Sequence, residues 1–156
     1  MPLLRILRFL DDEGVAYERI SHAPAFSAQK IAAAAHVRGR EMAKVVIVKV
    51  DEQLAMTVLP ADCTLNLDHL RAVTDADVLG LATEAEFRDR FPDCEGGAMP
   101  PFGNLYGLPV FAASMLGLHE HVAFNAGNHR EVIRMRYLDF VRLVRPRIVE
   151  LTLSRV

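Results

Sequence analysis

The run Met42–Val50, MAKVVIVKV, constrains the fold more than any other part of the chain. It is β-branched and almost continuously apolar, the composition of a strand. Asp51, Glu52 and Gln53 can turn, and Leu54–Leu59 returns in the same character, so the segment predicts a hairpin at the centre of a sheet. One residue is out of place in it. Lys44 puts a cation inside an otherwise apolar strand, either to meet an anionic group at the strand end as a point charge or to run its stem along the surface into water.

Around the hairpin the chain alternates helical and strand signals. Leu3, Leu4, Ile6, Leu7 and Leu10 recur at helical spacing and Gly14 supplies a stop, so an amphipathic helix opens the chain and Val15–Ile20 follows as a strand. After His22-Ala23-Pro24, Ser27 is placed to cap an alanine-rich helix running to His36. Asn66–Val73 reads as a short helix and Ala76–Ala82 as a strand. Thr83-Glu84-Ala85-Glu86 is a capping box opening a helix to Phe91. Strands are expected at Pro109–Ala113, His121–Asn125, Val132–Met135 and Ile148–Leu153, with a helix at Tyr137–Val144 ended by Pro146. At 156 residues this is one domain, residues 1–156, of α/β class. Its sheet is expected to be mixed, largely antiparallel and barrel-like, with helices around it.

Composition removes several functions. No apolar run approaches the roughly 20 residues of a membrane helix, and the first residues meet Asp11 and Asp12 before any signal-like cleavage site, so a cytoplasmic protein without membrane contact is expected. Cys63 and Cys94 are too far apart for a metal or redox pair, and reduced thiols are expected. His119 and His121 lack a third partner, so no metal and no cofactor is assigned. GxGxxG, GxxxxGK[ST] and GxSxG are missing, which removes the usual signatures of dinucleotide, nucleotide and serine-hydrolase chemistry. The net charge of −2 argues against a surface built wholly to grip nucleic acid, although from Arg130 onward seven arginines face only three acids. That segment is the expected place for a weak polyanion contact.

Two further segments can carry chemistry. Cys94-Glu95-Gly96-Gly97-Ala98-Met99-Pro100-Pro101-Phe102-Gly103 holds three glycines and two prolines. Glycine lets a ligand approach backbone amides and proline fixes their direction, which suits an oxyanion or carbonyl; an ordinary connector has the same composition. Phe124-Asn125-Ala126-Gly127-Asn128-His129 ends a strand in a polar turn whose histidine can bind substrate or a nearby carbonyl.

These segments, in this order, resemble the YbaK and prolyl-tRNA synthetase-associated editing domain family over the whole chain. The resemblance rests on Ala43-Lys44-Val45-Val46-Ile47-Val48, on a GxxxP loop at Gly97-Ala98-Met99-Pro100-Pro101, on Asn125-Ala126-Gly127-Asn128-His129, and on the helical segments Ala28–His36 and Thr83–Phe87. With no synthetase catalytic or anticodon domain in these 156 residues, free-standing members are the most similar. The resemblance implies hydrolysis of the ester that joins a wrong, small amino acid (alanine, serine, threonine or cysteine) to the tRNA 3′ end. It also implies that Lys44, Gly97 and Pro101 take part in catalysis. The loop backbone at Gly97, Ala98, Met99 and Pro101 would hold the carbonyl and amino acid, and Phe102 and Gly103 continue that surface. Lys44 would position the terminal adenosine through its phosphate, and the terminal ribose hydroxyl would help to activate water. Asn125, Asn128 and His129 would bound the amino-acid pocket, and His22 resembles a recurrent family histidine near it. Gly96 departs from members that carry proline there. The implied partners are the acceptor end of aminoacyl-tRNA and an aminoacyl-tRNA synthetase, the chain acting as monomer or homodimer. Two rivals differ in kind: a non-catalytic module that binds aminoacyl-tRNA or a synthetase, and a thiol hydrolase using Cys94.

Overall fold

The computed structural model describes residues 2–22 and 41–153. The expected helix from Ser27 to His36 lies outside them. Helix α1 (Pro2–Asp12) buries Ile6, Leu7 and Leu10 and ends ahead of Gly14, whose φ of 70° is left-handed. Strand β1 (Tyr17–Ser21) follows, and the hairpin is β2 (Ala43–Val50) with β3 (Gln53–Pro60), in register from Ala43 opposite Pro60 to Val50 opposite Gln53. Its turn is held by Asp51, at φ 55°, whose carboxylate accepts the N–H groups of Asp77 and Val78 at 3.0 Å. Those bonds spend 77–78 on a turn, which shortens the strand expected at Ala76–Ala82 to β4 (Leu79–Leu81).

Helix α2 (Leu67–Thr74) is capped by Asn66, whose side chain accepts the His69 N–H at 3.1 Å. Helix α3 (Glu84–Phe87) starts in the predicted capping box and passes into a 3₁₀ turn at Arg88–Arg90. Strands β5 (Val110–Ala113), β6 (His121–Asn125) and β7 (Glu131–Arg136), helix α4 (Tyr137–Val144) and strand β8 (Arg147–Val149) complete the order. Beyond β8 the chain leaves the sheet edge, and Leu151 and Leu153 bond instead to Asn66 and Thr64.

The strands form two sheets, β4-β2-β3-β5-β8 and β1-β7-β6. Most pairings are antiparallel, while β3–β5 and β5–β8 are parallel. The sheet is mixed as expected but does not close into a barrel. The two sheets meet at one parallel bridge, Met42 to Ala123, after which β2 turns to pair with β4 and parts from β6.

Between the sheets and under α1 and α4 lies the larger core, centred on Phe102. Its ring lies 5.4 Å from Phe124, 5.8 Å from Phe140 and 5.9 Å from Phe9, edge-on or tilted, the favourable geometries for aromatic pairs. A smaller core (Val48, Leu59, Leu70, Phe111, Leu151) covers the opposite face of the hairpin.

Candidate functional site

Strand β6 ends at Asn125, and the turn that follows is built by its own asparagine. The Asn128 side-chain oxygen accepts the N–H groups of Arg130 and Glu131, both at 2.8 Å, which folds the chain back into β7. The shaped loop is fastened to this turn. Glu95 donates its N–H to the Gly127 carbonyl at 2.8 Å, and its carboxylate accepts the His129 N–H at 3.2 Å. The His129 ring, itself 7% exposed, places Nε2 2.8 Å from the Gly96 carbonyl. That carbonyl only accepts, so Nε2 carries a proton.

The loop is therefore held on its Glu95–Gly96 side while Gly96 and Gly97 remain at the surface. Gly97 adopts φ 80°, and a Cβ there would lie 3.8 Å from His129 Cε1. The Ala98 amide is spent on the Glu95 carbonyl at 3.1 Å; the N–H groups of Gly97 and Met99 donate to no described residue. Ala98, Met99, Pro100 and Pro101 are buried. Phe102 is the centre of the core, and a Cβ on Gly103 would lie 2.6 Å from Val110 Cγ2 and 2.8 Å from the Leu108 carbonyl oxygen, so these two residues form the packing beneath the loop. A cavity of about 90 Å³ lies against the loop between Phe87, Phe91, Met99, Glu84 and Glu95.

Lys44 is half-buried and makes no hydrogen bond or ion pair with a described residue. Ala43 and Val45 on one chain segment and Phe124 and Ala126 on the other pack in the larger core, so Lys44 and Asn125, each two residues past the parallel bridge of Met42 to Ala123, both point away from that core. Asn125 is in turn two residues from Gly127, to which the loop is tied. No hydrogen bond or ion pair joins Lys44 to the loop or the turn among the described residues. His22 approaches the same region from β1, its backbone N–H bonded to the Arg130 carbonyl at 2.9 Å.

Several contributors carry no local sequence signal. Glu95 acts across 34 residues of chain. Arg5, from α1, pairs with Asp93 at 3.3 Å and lies over the Tyr106 ring at 5.1 Å, which anchors the start of the loop. Glu84, the first residue of α3, has its carboxylate oxygen 2.8 Å from where a Cβ on Gly96 would be, so the glycine leaves room for it.

Cys94 is not equipped as a nucleophile. Burial pushes its thiol up to about 11, only partly offset by the Tyr106 hydroxyl 3.3 Å away, and a thiol is inert until ionised. Burial and the neighbouring Asp93 both work against the thiolate that the thiol-hydrolase alternative requires.

Residues 22–143, well over half of the chain, match the model of the aminoacyl-tRNA editing domain family. The chain belongs to that family. The editing domain is accordingly a hydrolase acting on the ester bond of aminoacyl-tRNA. It is 28% identical over 153 residues to the multifunctional Ser/Thr-tRNA deacylase ProXp-y of Escherichia coli (strain K12), covering 93% of this chain and 89% of the relative. Its fold is shared with a solved candidate trans-editing enzyme for prolyl tRNA synthetase, at TM-score 0.83 and 18% identity over 98% of both chains. A second solved neighbour is the hypothetical protein APE2540, at TM-score 0.85 and 17% identity, over 95% of this chain and 99% of that one. No helix among the described residues of the editing domain is long and apolar enough to cross a membrane.

Proposed function

We propose that this editing domain removes serine or threonine from mischarged tRNA, at a site formed by Lys44, the GxxxP loop and the turn after β6. The carrying observation is the pair of uncommitted amides, Gly97 and Met99, on a loop fastened by Glu95 and His129 to the end of β6. Two N–H groups held without a partner among the described residues are the kind of donor that a developing oxyanion requires, and they need no reorganisation when the charge forms. The ProXp-y likeness supports hydroxyl amino acids within the small set that the sequence admits.

In the reaction, water adds to the ester carbonyl carbon while the amides hold the oxygen as it becomes negative. The tetrahedral species then collapses, the bond to the ribose oxygen breaks, that oxygen takes up one of the two protons of the water, and the amino acid leaves as its carboxylate with the other proton released to solvent. An aminoacyl ester is already activated, so positioning and charge stabilisation carry most of the work and no protein nucleophile is needed. Lys44, which pairs with no carboxylate among the described residues, contributes a point charge for the phosphate of the terminal adenosine. His129 and Asn128 act by holding the loop and turn in place, and Pro101 fixes the loop's far end.

The test is deacylation of one tRNA charged in turn with serine, threonine, alanine, cysteine and proline. Loss of label from the seryl and threonyl forms is expected, with turnover abolished in a folded Lys44→Ala variant. Binding of charged tRNA without loss of label from any of them would instead identify a non-catalytic module.

A further inference from the structure

Asn125 stands out among the polar side chains of the strands. It is 6% exposed, and its side-chain oxygen is buried without a hydrogen-bond partner among the described residues. Neighbours of the same chemistry are all satisfied: Thr57 gives its hydroxyl to the Val46 carbonyl at 2.6 Å, Asn66 caps α2, and Asn128 accepts two amides. A buried acceptor left empty costs the desolvation of that group, so its retention in a strand asks for a donor that the described residues do not supply.

The place of Asn125 narrows that donor. Phe124 and Ala126 turn into the aromatic core, so Asn125 between them faces the other way, on the face that carries Lys44 and two residues from the carbonyl that holds the loop. We infer that Asn125 is the specificity-determining residue of the editing site, hydrogen bonding the side-chain hydroxyl of a seryl or threonyl ester. This rests on the function proposed above and deepens it.

The chemistry favours a hydroxyl over the other groups a charged tRNA end can offer. An asparagine amide presents an oxygen that accepts and, after a half-turn of its last torsion, an NH₂ that donates. A hydroxyl can answer either face. A methyl group answers neither and leaves the amide unpaired, the situation in which a polar site rejects the analogue lacking the polar group. The α-ammonium is present in every amino acid, so contact with it would not discriminate.

The decisive quantity is the ratio of kcat/KM for seryl over alanyl esters on the same tRNA, two substrates that differ by one oxygen. Wild type is expected to favour serine. In Asn125→Ala and in the similarly shaped Asn125→Leu that ratio is expected to fall about tenfold or more, with folding checked by thermal melts. A uniform loss on both substrates, as when Asn125 merely supports Lys44 or the strand, would overturn the assignment. So would wild-type turnover without preference for serine, while the deacylase reading would survive. Absence of turnover on every ester would remove that reading and this one with it. If neither variant folds, wild-type rates on seryl against alanyl esters still test the assignment, since equal rates would overturn it.

Discussion

At the scale of single residues, two glycines of one loop do different work. Gly97 is at the surface with a left-handed φ and no atom near its Cβ position closer than 3.8 Å, so alanine there meets conformational strain of about 1 kcal/mol rather than a clash. Gly103 has Val110 and the Leu108 carbonyl within 2.8 Å of a Cβ, and overpacking of this kind costs about 1–3 kcal/mol. Gly97→Ala is therefore expected to lower deacylation far more than it lowers Tm, and Gly103→Ala to do the reverse; melts and turnover measured side by side check both. Cys94 gives an independent reading. With its thiol raised to about 11 chiefly by burial, alkylation by iodoacetamide should be slow at pH 8 and reach half its limiting rate near pH 11. A folded-state pKa above the usual 9.0 favours the neutral thiol in the fold, so this group's effect on stability is absent below pH 9 and destabilising as pH rises toward 11. Cys94→Ser should keep deacylation. Lys44 and the Gly/Pro loop were legible in the sequence because each is locally odd, a charge in a strand and a cluster of breakers. The bonds from Glu95 to Gly127 and His129, and the unmet oxygen of Asn125, were not, since they exist only once distant segments meet.

At the scale of elements, α3 shows how much a local motif can specify. Thr83 accepts the Glu86 N–H at 3.3 Å, and Glu86 returns to the Thr83 N–H at 2.9 Å, while Lys49 of β2 reaches the same carboxylate at 2.6 Å. Glu86 thereby joins the hairpin to the helix whose first residue, Glu84, lies over Gly96. Its carboxyl is lowered to about 2, first by the Lys49 hydrogen bond and then by Thr83. A depressed carboxylate contributes stability above its ordinary pKa, here 4.5, and loses it as pH falls toward 2. Glu86→Gln should therefore flatten the fall of Tm between pH 5 and pH 2, and Thr83→Ala should cost about 1 kcal/mol at neutral pH. This capping box, the short helix expected at Asn66–Val73 and helix α4 with its bounds at Tyr137 and Val144 were readable because caps and helical periods are written in adjacent residues, although Asn66 proves to be the cap of its helix rather than its first turn. The parallel pairing of β3, β5 and β8, and the shortening of β4 by Asp51, were not, because partner choice depends on segments tens of residues away.

At the scale of the whole molecule, the open junction between the sheets bears on both the position of the proposed site and the strength with which such a site would hold RNA. After Met42 and Ala123 the two strands part, leaving Lys44 and Asn125 on one face beside the turn that fastens the loop, so the proposed contact is with the single-stranded tail of the substrate. The basic stretch after Arg130 adds less than its charge suggests. Arg134 is paired with Glu18 and Glu41, and Arg142 with Asp139, whereas Arg130, Arg136, Arg145 and Arg147 are exposed and pair with no carboxylate among the described residues. Each phosphate neutralised on a single strand contributes about −0.7 to the slope of log affinity against log salt. Contact through Lys44 and one or two of the exposed arginines then gives a slope of about −1.5 to −2, where a grip along a whole duplex arm with six or more phosphates would give about −5. Measured as kcat/KM at subsaturating tRNA between 50 and 200 mM salt, the shallow slope is expected, and Lys44→Arg should leave it nearly unchanged because the charge is kept. A slope near −5 would place the RNA across much more of the surface than this junction offers.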